Sequence, residues 1–384
     1  MIPYGRQDVS QADIDAVVSV LRSDFLTQGP LVPRFEEAVM RLTGARHAVA
    51  VNSATSALHI AALALGLGPG DRLWTVPNTF VASANCARYC GADVDFVDID
   101  PHSWNMSLPA LRTKLLQARA AGALPKVVVP VDFGGQPVEQ EEIAELAREY
   151  GFKVIEDASH AIGATRHGQP VGSCRWADIT VFSFHPVKIV TSGEGGMALT
   201  NDPALARSMM MLRTHGITRD PALMQAPNPP AWHYEQQLLG FNYRLTDLHA
   251  ALGLSQLSRL AGFVERRNQL AAQYASLLGG LPLQLPSVSA GNRSAFHLYV
   301  VRLDPRRTAQ SRRYVFDTLR ERGIGVNVHY EPVHLQPYYR RLGFTPGMFP
   351  EAERYGATGL TLPLFAAMSD AQQIEVVEAL RSCL

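Results

Sequence analysis

A single lysine stands in the segment Phe182-Ser-Phe-His-Pro-Val-Lys188-Ile-Val-Thr-Ser-Gly-Glu-Gly-Gly196, between an apolar run and a glycine-rich turn. A lysine held between a buried strand and a tight hairpin is poorly solvated, so its ammonium form is disfavoured and its amine becomes a better nucleophile. That is the condition for a Schiff-base lysine. Upstream, the apolar run Phe152-Lys-Val-Ile-Glu-Asp157 ends in a carboxylate. A lysine for an aldehyde and a carboxylate for a ring nitrogen are the pair that pyridoxal phosphate (PLP) chemistry requires.

Other residues extend that chemistry. Asn52-Ser53-Ala54-Thr55-Ser56 follows a β-type run and opens a helical one. Its free amides and hydroxyls suit an anion at the positive end of a helix, and they equally suit an ordinary N-cap. Ser183 offers a second anion ligand or a tolerated strand serine. Phe80, just past a strand end in Thr75-Val-Pro-Asn-Thr-Phe80, offers a flat face for a flat cofactor, although taken alone it reads as core. His160, three positions after Asp157, can hydrogen-bond a phenolic oxygen or serve structure alone. Cys86 and Cys90 have helical spacing but no second ligand pair nearby, so they read as a buried helix face rather than a metal site. No G-x-x-x-x-G-K-[ST] loop and no G-x-G-x-x-G after the first strand occurs, which argues against nucleotide hydrolysis and dinucleotide redox chemistry.

The elements that must position these groups alternate. Strands are expected at His47–Val51, Arg72–Val76, Val94–Val97, Lys126–Val131, Lys153–Glu156, Ile179–Phe184 and Met197–Thr200. Helical patterns at Ser56–Leu65, Phe80–Tyr89, Leu108–Ala120 and Val138–Tyr150 lie between most of them. This alternation predicts an α/β fold, a mainly parallel sheet with helices on both faces. Ile179–Thr200 breaks the rhythm and predicts an antiparallel excursion that projects Lys188 into a site. A long helical stretch, Thr246–Leu278, leads to a smaller α+β unit with strands at Ala295–Leu303 and Gly325–Tyr330 and helices at Ser311–Arg322 and Ser369–Leu380. The expected division is residues 1–250 for the large domain and 251–384 for the small one. Asp220–Trp232 is proline-rich and is expected to be irregular.

Composition sets limits. The 384 residues carry 35 basic and 35 acidic side chains, so nothing points to nucleic acid as a partner. The amino terminus lacks a signal-peptide pattern, no apolar run approaches a membrane span, and four scattered cysteines do not make a disulfide framework. A cytoplasmic location is the expectation.

The segments Asn52-Ser-Ala-Thr-Ser-Ala-Leu58, Glu156-Asp-Ala-Ser-His160, Ser183-Phe-His-Pro-Val-Lys188, Thr191-Ser-Gly-Glu-Gly-Gly196 and Gly240-Phe-Asn-Tyr-Arg244 resemble, in order and spacing, the motifs of the DegT/DnrJ/EryC1/StrS sugar aminotransferases. The likeness runs from Leu26-Thr-Gln-Gly29 to Val328-His-Tyr-Glu-Pro-Val-His334. It implies PLP-dependent fold type I, the aspartate aminotransferase-like fold, with a seven-stranded sheet. It also implies Lys188 as covalent anchor and proton carrier and Asp157 as partner of the pyridine nitrogen. Phe80 would stack on the ring and His160 would contact its 3-hydroxyl. Ser53, Ala54, Thr55 and Ser183 would hold the phosphate, and Asn242 would reach the phosphate of a neighbouring subunit in a homodimer. Within the family, Asp157-Ala-Ser-His-Ala161 and Gly240-Phe-Asn-Tyr-Arg-Leu-Thr-Asp247 resemble the pseudaminic acid branch. That branch implies transfer of an amino group from L-glutamate to C4 of a UDP-linked 4-keto-6-deoxy sugar. Asp132 departs from the family pattern, which has a histidine there, and the departure bears on the substrate. A sugar dehydratase of the same fold carries histidine in place of Lys188, and a non-catalytic PLP-binding relative is the remaining alternative. His329 and the loop at Trp232–Tyr234 are candidates for sugar or diphosphate contact; fold support and loop packing are their competing readings.

Overall fold

A computed structural model describes residues 1–384 of the chain. Helices α1 (Gln11–Leu21) and α2 (Leu31–Thr43) precede the first strand. Seven strands form the main sheet: β1 (His47–Val51), β2 (Arg72–Thr75), β3 (Asp93–Phe96), β4 (Val127–Val129), β5 (Lys153–Asp157), β6 (Ile179–Ser183) and β7 (Gly196–Thr200). Their order is β1-β7-β6-β5-β4-β2-β3. The pairs from β3 to β6 are parallel, whereas β7 runs antiparallel to both β1 and β6. Six strands therefore point one way, and their carboxyl ends share one edge of the sheet, where open α/β sheets bind ligands.

Helices α3 (Ala54–Ala64), α4 (Ala82–Tyr89), α5 (Leu108–Ala120), α6 (Gln140–Tyr150) and α7 (Pro203–Arg213) fill the connections. The sheet is buried on both faces, as near-continuous apolar strands require. Strand alternation divides β1, β6 and β7 between two cores, whereas the apolar residues of β2 to β5 belong to the first. In β1, Val49 and Val51 join one core and Ala48 and Ala50 the other; in β7, Ala198 joins the first and Met197 and Leu199 the second. Cys86 and Cys90 on α4 belong to the first core, a buried helix face.

The long helical stretch is two helices, α8 (Asp247–Leu257) and α9 (Leu260–Leu277). Two side-chain interactions mark the break, one local and one distant. The Ser258 hydroxyl donates back to the Ser255 carbonyl, and the Arg259 guanidinium turns away to Asp8 and buried Asp13, at 3.0 and 2.6 Å. Beyond α9, β8 (Leu283–Gln284), β9 (Tyr299–Leu303) and β10 (Gly359–Leu362) make a small antiparallel sheet. Helix α10 (Arg312–Glu321), the single turn α11 (Pro337–Arg340), α12 (Pro350–Thr358) and α13 (Asp370–Arg381) complete the chain. A third core lies here and includes Ile2 from the amino terminus, whereas Val333, Tyr339 and Phe349 return to the first core.

Gly325–Tyr330, expected as a strand, is not one. Only Ile324 and Asn327 make isolated bridges, to Ile2 and Thr361. The amino terminus occupies the edge that a strand would use, since Gly325 N–H donates to the Ile2 carbonyl at 2.7 Å. The polar side chains from Asn327 to Tyr330 are turned into a cavity instead. Asp220–Trp232 is irregular as expected, between a short pairing of Ile217–Thr218 with Glu235–Gln236, and it leaves Trp232 80 % exposed. No helix is long and apolar enough to cross a membrane.

Candidate active site

The carboxyl ends of β1, β2, β5 and β6 surround a cavity of about 390 Å³. Its lining brings together Ser53, Ala54, Thr55, Phe80, Asp157, His160, Ser183, Lys188 and His329. Residues scattered over the sequence meet because strands β5 and β6 are parallel neighbours and β1 and β2 end on the same edge. Asn242 is exposed and is not among the lining residues.

Lys188 is not on a tight hairpin. The β6–β7 ladder continues to Phe184 and Gly195, whose backbones pair at 2.9 Å, and the chain between them folds as a longer loop. Polar Ser192 and Thr191 hold that loop to the Phe184 carbonyl, at 2.9 and 3.1 Å, so it stays attached to the sheet while Lys188 reaches inward. Burial pushes the lysine down to about 8, opposed only by the attraction of the Asp157 carboxylate. An amine with that poise is partly unprotonated near neutral pH, as a nucleophile must be.

Asp157 closes β5 and is gripped on both oxygens. The Ser83 hydroxyl donates to one at 2.6 Å, and the Ser159 hydroxyl donates to the other at 2.6 Å. Ser83 in turn sits 2.7 Å from the Thr79 hydroxyl. These hydroxyls fix the carboxylate's plane without neutralising its charge.

At the other end, α3 begins at Ser53, whose hydroxyl accepts the Ser56 N–H at 3.1 Å. The N-cap reading of this segment holds through the serine hydroxyl, and Ser53, Ala54 and Thr55 also line the cavity, a placement compatible with the anion-site reading. Gly196 makes the approach possible. A Cβ there would lie 2.4 Å from the Ala54 nitrogen, so only glycine lets β7 start against this peptide. Ser183, at the end of β6, faces the same corner.

Phe80 is 58 % exposed and lines the cavity, so it is not core. His160 is buried, and its Nδ1 accepts the Gly134 N–H at 3.2 Å, which leaves Nε2–H as the donor of the neutral ring. That donor lies 3.3 Å from the Tyr330 hydroxyl. His329 Nδ1 lies 2.8 Å from the Thr361 hydroxyl, and burial, then the charge of Lys188, pushes the ring down to about 4. Tyr330, Ser83, Ser159, His185 and Glu194 are site residues that sequence reasoning misses. All but Ser83 stand inside the quoted motifs, which was the local signal available; Ser83 carries none.

Asp132 does not touch the cavity. It is fully buried: one carboxyl oxygen accepts the Val138 N–H at 2.9 Å, and the neighbouring Glu156 carboxyl accepts from Thr180 at 2.7 Å. The departure at position 132 is thus a buried acid that does not line the cavity. Burial, then the Glu156 charge, raises Asp132 well above the usual carboxyl range. An unfolded carboxyl releases its proton near pH 4, so between there and the raised value the folded protein holds more protons and loses stability as pH rises. Asp132→Asn keeps the hydrogen bond and removes the ionisation. The variant is expected to melt roughly 2–4 °C higher than wild type at pH 8 and to show a flatter melting profile from pH 5 to 8. A calorimetric scan in which the two proteins keep a constant difference across that range would refute the raised carboxyl.

An amine, a fixed carboxylate, an exposed aromatic face and free helix amides are the donor set that PLP requires, and they face one cavity. The chain matches the DegT/DnrJ/EryC1/StrS aminotransferase family over residues 7–381. It is 38 % identical to the spore coat polysaccharide biosynthesis protein SpsC of Bacillus subtilis, over 99 % of this chain and 96 % of that one. Among solved structures it is similar to PseC of Helicobacter pylori, an aminotransferase involved in the biosynthesis of pseudoaminic acid (29 % identity, TM-score 0.91, 100 % of this chain and 98 % of that one). It is also similar to a Streptococcus pneumoniae protein described as a sugar aminotransferase and solved in its PLP form (29 % identity, TM-score 0.89, 100 % and 98 %). With the seven-stranded sheet and the lysine–carboxylate pair in place, this match decides the assignment: the chain is a PLP-dependent sugar aminotransferase and belongs to the DegT/DnrJ/EryC1/StrS family.

Proposed function

We propose that this enzyme transfers the amino group of L-glutamate to C4 of a UDP-linked 4-keto-6-deoxy-N-acetylhexosamine, in pseudaminic acid biosynthesis. The observation that carries the reading is the placement of Lys188 and Asp157 in one cavity whose far corner is a helix N-terminus. The likeness to PseC supports the sugar. PLP, when bound, supplies the electron sink and carries the amino group between the two half-reactions. Lys188 holds the cofactor at rest; once displaced, its amine moves a proton from the α-carbon of glutamate and later returns one to C4 of the sugar. Asp157 keeps a proton on the ring nitrogen, Phe80 covers one ring face, and His160 donates to the ring oxygen. Ser53, Ala54, Thr55 and Ser183 hold the phosphate. Asn242, exposed here, serves the phosphate site of a second copy in a homodimer, and His329 meets the sugar.

A second reading is amination of another nucleotide-linked keto sugar, of the perosamine or bacillosamine type. It is favoured by the higher identity to the spore coat polysaccharide protein, 38 % against 29 %. One experiment separates the two. Purified enzyme with PLP and L-glutamate is offered UDP-, GDP- and dTDP-linked 4-keto sugars, and the product configuration at C4 is read by NMR. We expect turnover of the UDP-linked N-acetylhexosamine to exceed the others by about 10²-fold or more. Preferred turnover of a GDP- or dTDP-linked sugar, or a UDP-linked product of the opposite configuration at C4, rejects the first reading in favour of the second.

A further inference from the structure

Helix α3 buries Ala57, Leu58, Ile60, Ala61 and Ala62, and among them stands a polar side chain, His59, 5 % exposed. Its Nδ1 lies 3.1 Å from the Tyr243 hydroxyl. Its ring packs at 4.7 Å from that of Phe241 and 6.0 Å from that of Tyr243, and those two rings stack on each other at 4.9 Å and 12°. Tyr89 of α4 adds an edge-on contact at 5.5 Å. An apolar residue would fill the same space, so packing alone does not call for an imidazole here.

Phe241 to Tyr243 run antiparallel to the end of α7 and the residues after it. Phe241 N–H donates to the Leu212 carbonyl at 2.7 Å, His215 N–H to the Phe241 carbonyl at 2.8 Å and Tyr243 N–H to the Arg213 carbonyl at 3.0 Å, while Asn242 pairs with Thr214. Side chains alternate along such a segment. Phe241 and Tyr243 pack against the first core, and Asn242 between them is exposed. Two glycines fix where the segment begins. A Cβ at Gly240 would lie 2.1 Å from the Gly216 nitrogen, and one at Gly216 would lie 1.8 Å from the Leu238 oxygen. At the far end Asn52 N–H, just before the α3 N-cap, donates to the Tyr243 carbonyl at 2.9 Å. His59 supplies the one side-chain hydrogen bond made to residues 240–243.

We propose that His59 is a positioning residue that acts through Tyr243 to hold Asn242 outward, toward the phosphate site of a second copy of this chain. This rests on the reading above that Asn242 serves that site. The side chains of Tyr243 and Asn242 leave one short segment on opposite faces, so a rotation that releases one turns the other. The bond from His59 anchors the tip of the tyrosine, and stacked Phe241 fixes the plane of its ring. His59 also stands on the helix whose first turn lines its own cavity. One side chain thereby ties that turn to the residue offered to the other copy.

The test uses apoenzyme dimers and pyridoxamine 5′-phosphate, a ligand that needs no lysine bond, with phosphate-free pyridoxamine as control. His59→Leu keeps the bulk and Tyr243→Phe keeps the ring, and each removes the hydrogen bond. Each is expected to weaken binding of the phosphorylated ligand about tenfold and that of pyridoxamine less than about twofold, with the double variant no worse than either alone. Equal weakening of both ligands, or of neither, overturns the proposal.

Hybrid dimers show which copy is served. In the first, His59→Leu is placed on the copy that also carries Lys188→Arg, so borohydride fixes PLP only on the unmodified copy. Fixation there should need about tenfold more PLP than in a reference dimer with Lys188→Arg alone on one copy. In the second, His59→Leu stands on the copy that keeps Lys188, and the requirement should match the reference. Loss in the second hybrid confines His59 to its own helix and overturns the proposal, as does an unchanged requirement in the first. An Asn242→Ala dimer that binds pyridoxamine 5′-phosphate like wild type rejects the placement of Asn242 and this proposal with it. Weakening of about tenfold there, with none in His59→Leu, rejects the proposal alone.

Discussion

Lys188→Arg is expected to lose transamination by about 10³-fold or more while the protein folds and binds pyridoxamine phosphate within a few-fold of wild type. Arginine keeps the positive charge and much of the length, but its guanidinium stays protonated and forms no bond to an aldehyde. The anchors at α3 and Asp157 are untouched, so the ligand that needs no lysine bond should still bind. Wild-type capture of PLP by the apoenzyme has a further signature. Because burial sets the lysine at about 8, the rate should rise close to tenfold per pH unit below that value and level above it. Borohydride reduction followed by peptide mapping should place the cofactor on the peptide holding Lys188. Full activity in Lys188→Arg, or a tag on another peptide, would remove the lysine from the chemistry.

The second largest effect is expected from Asp157→Asn, a loss of about 10- to 10³-fold in the half-reaction with L-glutamate. An opposite charge within a few ångströms shifts a titrating group by about 1–3 pKa units, and the ring nitrogen loses that support when the carboxylate becomes an amide. Shape is conserved, and the remaining oxygen can still accept from Ser83 or Ser159, so the loss reports charge rather than position. Single-turnover absorbance with glutamate alone measures this step without the sugar. A half-reaction rate equal to wild type would show that the ring nitrogen needs no charge partner.

Much of the architecture was readable along the chain because periodicity is local. His47–Val51 and Leu108–Ala120 coincide with a strand and a helix to the residue, since alternation and helical spacing record which face of an element is buried. Where the pattern failed, a distant partner intervened. Gly325–Tyr330 reads as a strand, but the amino terminus takes its edge. Thr246–Leu278 reads as one helix, but Asp8 and Asp13 pull Arg259 out of line.

The chemistry divided in the same way. The sequence by itself determined that a lysine and an acid flank apolar runs, that a hydroxyl-rich helix start follows the first strand, and that these stand in a family's order. Only the tertiary structure decided that Phe80 is open to the cavity, that hydroxyls from α4 and the β5 end grip Asp157, and that His160 Nδ1 takes the Gly134 N–H. It also buried Asp132 beside Glu156, away from the cavity lining. Exposure, charge neighbours and desolvation belong to the space between elements. Residues from far points of the chain meet there, and spacing along a single segment holds no record of that meeting.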